Sequence, residues 1–457
     1  MTDVQTKKPA DYTEGPILRS ILKMGVPSMF GFLAHHIYAM ADTYWVSRLP
    51  EGESAVAAIT FFNSMMWLLF SFNSLVGPGS VAIISRRYGE KEFDQTERAI
   101  KETFLLKLVF GAIFGWSAFV FVKYILLFLG AEGDALRMGI GYGRIMLIGL
   151  PVLYATFSVF TAMRGIANPK MAMVMMLASS VLNIVIDPIF IFGWFGMPAL
   201  GIEGAAYASV GSYTLTFIVG LALLYGGRTN VRLHLRGKVA VGLNGMWQIL
   251  KLGIPAWVGE ASFSSARLVI VPLVATFGTT VVAAYGVSTQ LFAFGIMVLV
   301  GMGLGVSSLI GHNLGSGKVE RAKKTGDTAI WLGVGIMAVM SLLILGLAQY
   351  YMRFFFDNAE TISTGVTILR IWAIAMPFYG AFIMAEMIHS GVGLNTPLMI
   401  ISIIHSWLFQ AIPILFLVQF MGLGQNAIWW TLSISGIIST LIFVTYYRRG
   451  RWLTVKV

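Results

Sequence analysis

The 457 residues include no cysteine, only 6 histidines and only 12% charged side chains. Without cysteine there is no disulfide, no thiolate metal site and no cysteine nucleophile, and redox chemistry says nothing of compartment. Charge is scarce against the roughly 25% of an ordinary soluble domain. Catalytic signatures are missing as well: there is no HExxH, no P-loop and no GxSxG. An intramembrane aspartyl protease wants GxGD within a helix. The nearest string, GAEGD at 130–134, has the wrong spacing and falls in a connection. An enzyme is not expected.

What the chain has in abundance is apolar surface, 57% hydrophobic residues at a mean hydropathy of +0.78. Runs near the roughly 20 residues needed to cross a bilayer as helix recur throughout. Barrel strands would instead be short and alternating. The expected fold is an all-α polytopic membrane protein of about twelve transmembrane helices. The opening MTDVQTKKPADYTEGP is polar and runs into a long helix with no small-residue cleavage site, so no removable signal peptide is expected.

The net charge of +11 sits in alternate connections. Arg86, Arg87, Lys91 and Arg98 form one group, Arg228, Arg232, Arg236 and Lys238 a second, and Lys318, Arg321, Lys323 and Lys324 a third; Arg448, Arg449 and Arg451 close the chain. The intervening connections carry Glu51 and Glu53, or Glu132 and Asp134. This is the positive-inside pattern. It predicts a multi-pass protein of the cell membrane with both termini in the cytoplasm and an even number of spans, and it speaks for a lipid bilayer rather than nucleic acid as partner.

The chain repeats itself. LKMGVP at 22–27 returns as LKLGIP at 250–255, and SAVAAIT at 54–60 as TVVAAYG at 280–286. Gly77, Gly79 and Gly89 recur as Gly303, Gly305 and Gly315 at one offset (303−77, 305−79 and 315−89 each give 226), which also relates Pro151 to Pro377. The expected organisation is a tail over 1–16, a six-helix lobe over 17–227, a basic linker over 228–245, a second lobe over 246–447 and a tail over 448–457. Six is even, so the lobes share one orientation, related by a pseudo-twofold axis along the membrane normal with a path between them.

Two acids interrupt this apolar frame. An aspartate at mid-membrane costs about 2.5–3.5 kcal/mol on insertion scales. In the repeat, Asp42 falls opposite Ile270, and Asp187, aligned through Pro188 and Pro413, opposite Ile412. The second lobe thus folds without either acid. Asp42 lies roughly 9 Å below the outer face and Asp187 about 25 Å above the inner one, which places both in the outer half. Asn183 is one turn below Asp187 on the same face, Tyr38 and His35 precede Asp42 by one and two turns, and Tyr142 enters at comparable depth. Pro188 lacks an N–H and leaves a carbonyl available. The expectation is one cavity in the first lobe whose two carboxylates cannot both stay ionised cheaply. They take up a proton, or with the Asn183 carbonyl hold Na⁺, and loading bends helix one at Gly25 and Pro27. Plainer readings stand beside this one. Asp187 can cap a helix broken at Pro188; Asp42 can be an interfacial partner of Arg48; Tyr38, Tyr142 and His35 can be packing; Arg164 can anchor the inner face. Glu260, mid-helix in the second lobe, is expected to attract a cationic substrate, and Glu386 with His389 to lie at the interface. Methionines 171, 173, 175 and 176 suit an adaptable apolar pocket, although such stripes are more often core.

ADTYWVSRL (41–49), RRYGEKEFDQTERA (86–99), MRGIANPK (163–170), LNIVIDPIFIFG (182–193), GIEGAAYASV (201–210) and LIGHNLGSGKVERAKK (309–324), with the two LK-x-G-x-P strings, resemble the multidrug and toxic compound extrusion (MATE) family. The resemblance covers essentially the whole chain. It implies a V-shaped pair of six-helix lobes exporting organic, often cationic, compounds against H⁺ or Na⁺ entry. The chain departs from the family's RG-x-G-D-T-x-x-P turn with RGIANPK and SGVGLNTP. Glu260 lies about a turn ahead of the family's helix-seven glutamate, Glu386 stands near the inner end of helix ten, and Ala205 replaces a hydroxyl some relatives carry in helix six, with Ser209 a turn later.

The functional expectation is an antiporter acting as a monomer, without a cofactor, its coupling ion H⁺ or Na⁺ and its substrates small organic cations or amphiphiles. The alternative is a lipid or lipid-linked oligosaccharide flippase of the wider superfamily. That function wants a strongly cationic central cavity, whereas here the positive charge is in the loops and the buried groups are acidic. A channel would want a ring-like filter, which the chain lacks.

Overall fold

The structure, a computed structural model, describes residues 12–129, 131–234 and 241–455, with residues 35, 36, 39, 40, 52, 53 and 279 described by backbone alone. Among the described residues, twelve helices are long and apolar enough to cross a bilayer. They are α1 (Ile17–Ser47), α2 in two pieces (Gly52–Asn73 and Gly77–Gly89), α3 (Phe93–Phe128), α4 (Gly133–Gly165), α5 (Pro169–Phe192) and α6 (Ile202–Tyr225). The second set is α7 (Leu243–Ala275), α8 (Thr279–Gly315), α9 (Val319–Phe355), α10 (Ala359–Gly391), α11 (Thr396–Phe420) and α12 (Asn426–Arg448).

Local chemistry explains the ends. Asn168 caps α5 by accepting from the Met171 N–H, Pro169 follows at its first position, and Gly193 stops it at φ 75°. The Asn358 side chain accepts from the N–H groups of Glu360 and Thr361 at the start of α10. Two π-helical turns, Ile404–Ala411 and Phe416–Phe420, interrupt α11. Helical structure after the basic connection begins at Leu243, ahead of the boundary expected at 246. The described part of that connection is fastened to the end of α3: Glu97 accepts from the His234 backbone at 2.6 Å, and Glu102 from the Gly242 N–H at 3.0 Å.

α4 and α10 are the most deeply buried helices, both with a proline inside, Pro151 and Pro377, in agreement with the repeat. Outward faces carry Trp67, Leu68, Trp116, Leu268 and Leu342, all largely exposed. In a bilayer such faces need no cover, because lipid is as apolar as they are.

The two lobes meet at the end where the termini lie, through close backbone approaches that only glycine permits. A Cβ on Gly305 would fall 2.5 Å from the Met24 carbonyl, and one on Gly79 only 2.2 Å from that of Ile249. Gly89 faces His312 while Gly315 faces Arg86. Since 315−89 and 312−86 are both 226, each contact is the pseudo-twofold image of the other.

Both tails cross to the opposite lobe at this end. Arg321 donates to the carbonyls of Gly15 at 2.8 Å and Glu14 at 3.1 Å, and Lys318 to Thr13 Oγ1 at 2.8 Å. In return Arg86 donates to the Val455 carbonyl, beside the buried Trp452 ring. Arg321→Ala should therefore release the segment ahead of α1. Limited proteolysis checks this: cleavage near Tyr12 should become fast while the helical body stays intact, and unchanged protection would remove the brace from the account.

Candidate functional site

α1, α4, α5 and α6 converge in the half of the first lobe away from the termini. α1 brings Tyr38 and Asp42, α4 brings Tyr142, α5 brings Asn183 and Asp187, and α6 brings Ser209 and Tyr213. Asp187 is 0% exposed, Asn183 2% and Asp42 6%. The two carboxylates lie within each other's electrostatic reach. The Tyr142 phenol lies against Asp42, positioned to donate to it, and its ring packs on Phe62 with centroids 5.1 Å apart. The phenols of Tyr38 and Tyr213 are 3.1 Å apart, and the Asn183 amide donates to Ser209 Oγ at 3.2 Å.

That last bond fixes the other end of the amide. With its NH₂ on Ser209, Asn183 leaves Oδ1 buried and, among the described residues, without a partner, and so are Asp42 Oδ1 and both oxygens of Asp187. Buried polar groups are nearly always satisfied, so four orphaned acceptors in one place require an explanation. They are all acceptors, and what acceptors of this kind lack is a proton or a hard cation with oxygen affinity. Among the described residues no salt bridge reaches either aspartate.

The simpler readings of the acids fail here. Asp187 caps no helix end among the described residues, where neither of its oxygens accepts a bond. Arg48 turns to the Tyr44 hydroxyl at 3.4 Å, not to Asp42. The site joins Asp42, Asp187, Asn183, Tyr38 and Tyr142, as the helical spacing anticipates. The His35 side chain lies outside the described residues. α1 runs unbroken through Pro27, and Gly25 packs on the Met302 backbone of α8, where an added Cβ would lie 3.2 Å from its carbonyl. Pro188 is buried inside α5, next to Asp187.

Glu260 does not join this cavity. It stands on α7, exposed, and accepts from the Ser74 hydroxyl at the break in α2, so it bridges the two lobes. Glu386 on α10 is within reach of its charge. His389, in the last turn of α10, is fully buried, with rings of Phe443 and Trp452 around it. Arg164 is likewise buried, its Nε without a partner among the described residues.

The repeat alignment of Asp187 needs correction. Ile412 is 55% exposed and points outward, so it cannot occupy the place of a fully buried aspartate. The helix starts pair Asn168 with Asn395 (395−168 = 227), and that offset sets Asn183 against Gln410 (410−183) and Asp187 against Ile414 (414−187), which is 0% exposed. Aligning on the prolines fails because the π-helical turn before Pro413 rotates the face of α11. Gln410 donates to Ser435 Oγ at 3.1 Å and to His405 Nε2 at 3.0 Å, much as Asn183 binds Ser209. The second lobe thus keeps an amide and serine pair and places isoleucines, Ile270 and Ile414, where the first has acids. Sequence reasoning passed over Tyr213 and Ser212. The signal was there: 209, 212, 213 and 216 form a polar stripe at helical spacing in an otherwise apolar helix.

The MatE family model matches residues 27–189 and 255–416, one block in each lobe. The chain belongs to this family of membrane transporters. Among curated relatives it is similar to the probable multidrug resistance protein YoeA of Bacillus subtilis (strain 168), at 27% identity over 95% of this chain and 91% of that one. It is also similar to the multidrug export protein MepA of Staphylococcus haemolyticus (strain JCSC1435), at 28% identity over 97% and 96% of the two chains. Among solved structures, a MOP superfamily transporter from Pyrococcus furiosus superposes at a TM-score of 0.89 with 24% identity, over 99% of this chain and 100% of that one.

Proposed function

We propose that the protein exports organic, cationic or amphiphilic compounds from the cell by antiport against H⁺ or Na⁺, with Asp42, Asp187 and Asn183 binding the coupling ion. The single observation that carries this reading is the set of buried acceptors without donors. Loading by a proton or Na⁺ satisfies them, and alternation of the two lobes about the pseudo-twofold axis couples that loading to release. The names of YoeA and MepA, multidrug resistance and multidrug export, support drugs as the substrate class. Glu260, held by Ser74 between the lobes, offers a substrate cation its counter-charge, with Glu386 near it. The basic connections and both tails share one end, which the positive-inside rule assigns to the cytoplasm of a cell-membrane protein.

Proteoliposomes test the reading. A dye-like organic cation should leave wild-type vesicles under a pH gradient alone or a Na⁺ gradient alone, whichever ion is used, and Asp42→Asn should respond to neither. Equal export by wild type and variant would end the proposal. Scrambling of labelled lipid carriers without movement of organic cations would point to a flippase.

A further inference from the structure

Below the acid pair, toward the end of the lobe where the termini lie, is a cavity of about 10 Å³. That is just the room one water needs. Its polar lining is Asn183, Ser179, Ser180 and Ser212; Phe160 and Met176 form its apolar floor. On α5, Asp187, Asn183, Ser180 and Met176 succeed one another on one face, and Ser180 lies about 10 Å beneath Asp187. Two of the lining oxygens, Asn183 Oδ1 and Ser212 Oγ, belong to residues only 2% exposed and have no partner among the described residues. A water between them would satisfy both, and water in polar protein cavities is a regular structural element. Tyr38 and Tyr213 also line the space, and Tyr38 lies in the field of both carboxylates. The phenol pair therefore stands between the acids and the cavity.

We propose that this cavity holds one water and that, with the phenols of Tyr38 and Tyr213 and the Ser212 hydroxyl, it forms the inward proton exit of the acid pair. The inference rests on the coupling reading above and narrows it. In each transfer an oxygen accepts one proton and passes on the one it held, so the carboxyl loses H⁺, the next group below gains it, and no intermediate keeps a charge. No oxidant or co-reactant takes part. Room for a single water does not admit a hydrated Na⁺, which favours a proton as the ion that leaves this way. Among the described residues the titratable groups that line it are Tyr38 from α1 and Tyr213 from α6, and within electrostatic reach of those phenols lie Asp42 from α1, Tyr142 from α4 and Asp187 from α5. The floor is closed by Met176, whose Sδ lies 2.8 Å from where a Cβ on Gly31 of α1 would stand, so movement of α1 is what would open it.

Threonine and valine have nearly one shape and differ in the hydroxyl, which makes them the test at position 212. Ser212→Thr should keep pH-driven efflux, while Ser212→Val should lose it by roughly 100-fold. Equilibrium binding of an organic cation should be unchanged in both, which also shows that both fold. Tyr213→Phe keeps the ring, removes the phenol and should slow efflux in the same direction. Equal rates for the threonine and valine variants, whether both high or both low, would overturn the relay, as would a fast Tyr213→Phe protein. Failure of the coupling reading looks different, since Asp42→Asn would then transport normally.

Discussion

Asp187→Asn should yield a protein that melts at a higher temperature than wild type and moves no substrate under any ion gradient. The two halves of that result have one cause. Asp187 is 0% exposed and neither carboxylate oxygen has a donor, so the ion-free folded state bears the desolvation of a group that nothing local compensates. Asparagine has nearly the same shape, cannot ionise and supplies an N–H pair to a neighbourhood of acceptors, among them Asp42 Oδ1 and Asn183 Oδ1. Relief of an unsatisfied buried polar group is worth about 1–3 kcal/mol. On the coupling proposed above, the same change removes the charge that a proton or Na⁺ would neutralise, and with it the difference between loaded and empty states that would drive a conformational change. Thermal melting in detergent and gradient-driven efflux check the two halves separately. A destabilised variant that still exports would show the carboxylate to be structural. Asp42→Asn should stabilise less, because Asp42 already has Tyr142 against it.

Gly253→Ala should be nearly as damaging to transport, by a different route. A Cβ at 253 would lie 1.8 Å from the Leu75 carbonyl, which belongs to the break in α2 and sits in the other lobe. Backbone cannot yield as a flexible side-chain end can, and overpacking of this kind costs about 1–3 kcal/mol or more. The lobes can then no longer close at the termini end, and the state described here becomes the minor one. Spin labels at Glu92, on the connection into α3, and at Glu320, in the first turn of α9 in the other lobe, both exposed, should report a longer distance in the variant. Gly335→Ala on α9, where an added Cβ meets nothing within 4 Å, is the control and should transport normally. An unchanged distance distribution in Gly253→Ala would mean that the contact is not part of the cycle.

Much of the site was legible from one chain because helical geometry is short-ranged and regular. Asn183 and Asp187 are one turn apart, as are Tyr38 and Asp42, so each pair had to share a face once the helices were placed. Depth followed from the rise per residue. The repeat then separated acids that folding requires from acids that it does not, and this survives the exchange of Ile412 for Ile414. That error came from treating α11 as a uniform helix. Its π-helical turns change which residues point inward, and no propensity in LFQAIPILF announces them.

Glu260, His389 and Arg164 were harder, because their setting depends on a second helix. Glu260 looks like any mid-helix acid until α2 breaks at Ser74 against it. His389 stands near the end of α10, and rings far along the chain bury it: Phe443, Tyr446 and Tyr447 of α12 and Trp452 of the tail.

The amino-acid sequence by itself determined the class of the molecule: twelve apolar spans, a twofold duplication, the end that carries positive charge and the lobe that carries the acids. These follow from composition and period, which are properties of one chain read in order. The tertiary structure decided which acceptors are left without donors, where a water can sit beneath them, and which glycines let the lobes touch. Those depend on distances between helices far apart in the chain, and such distances are set by packing, which the order of residues alone does not display.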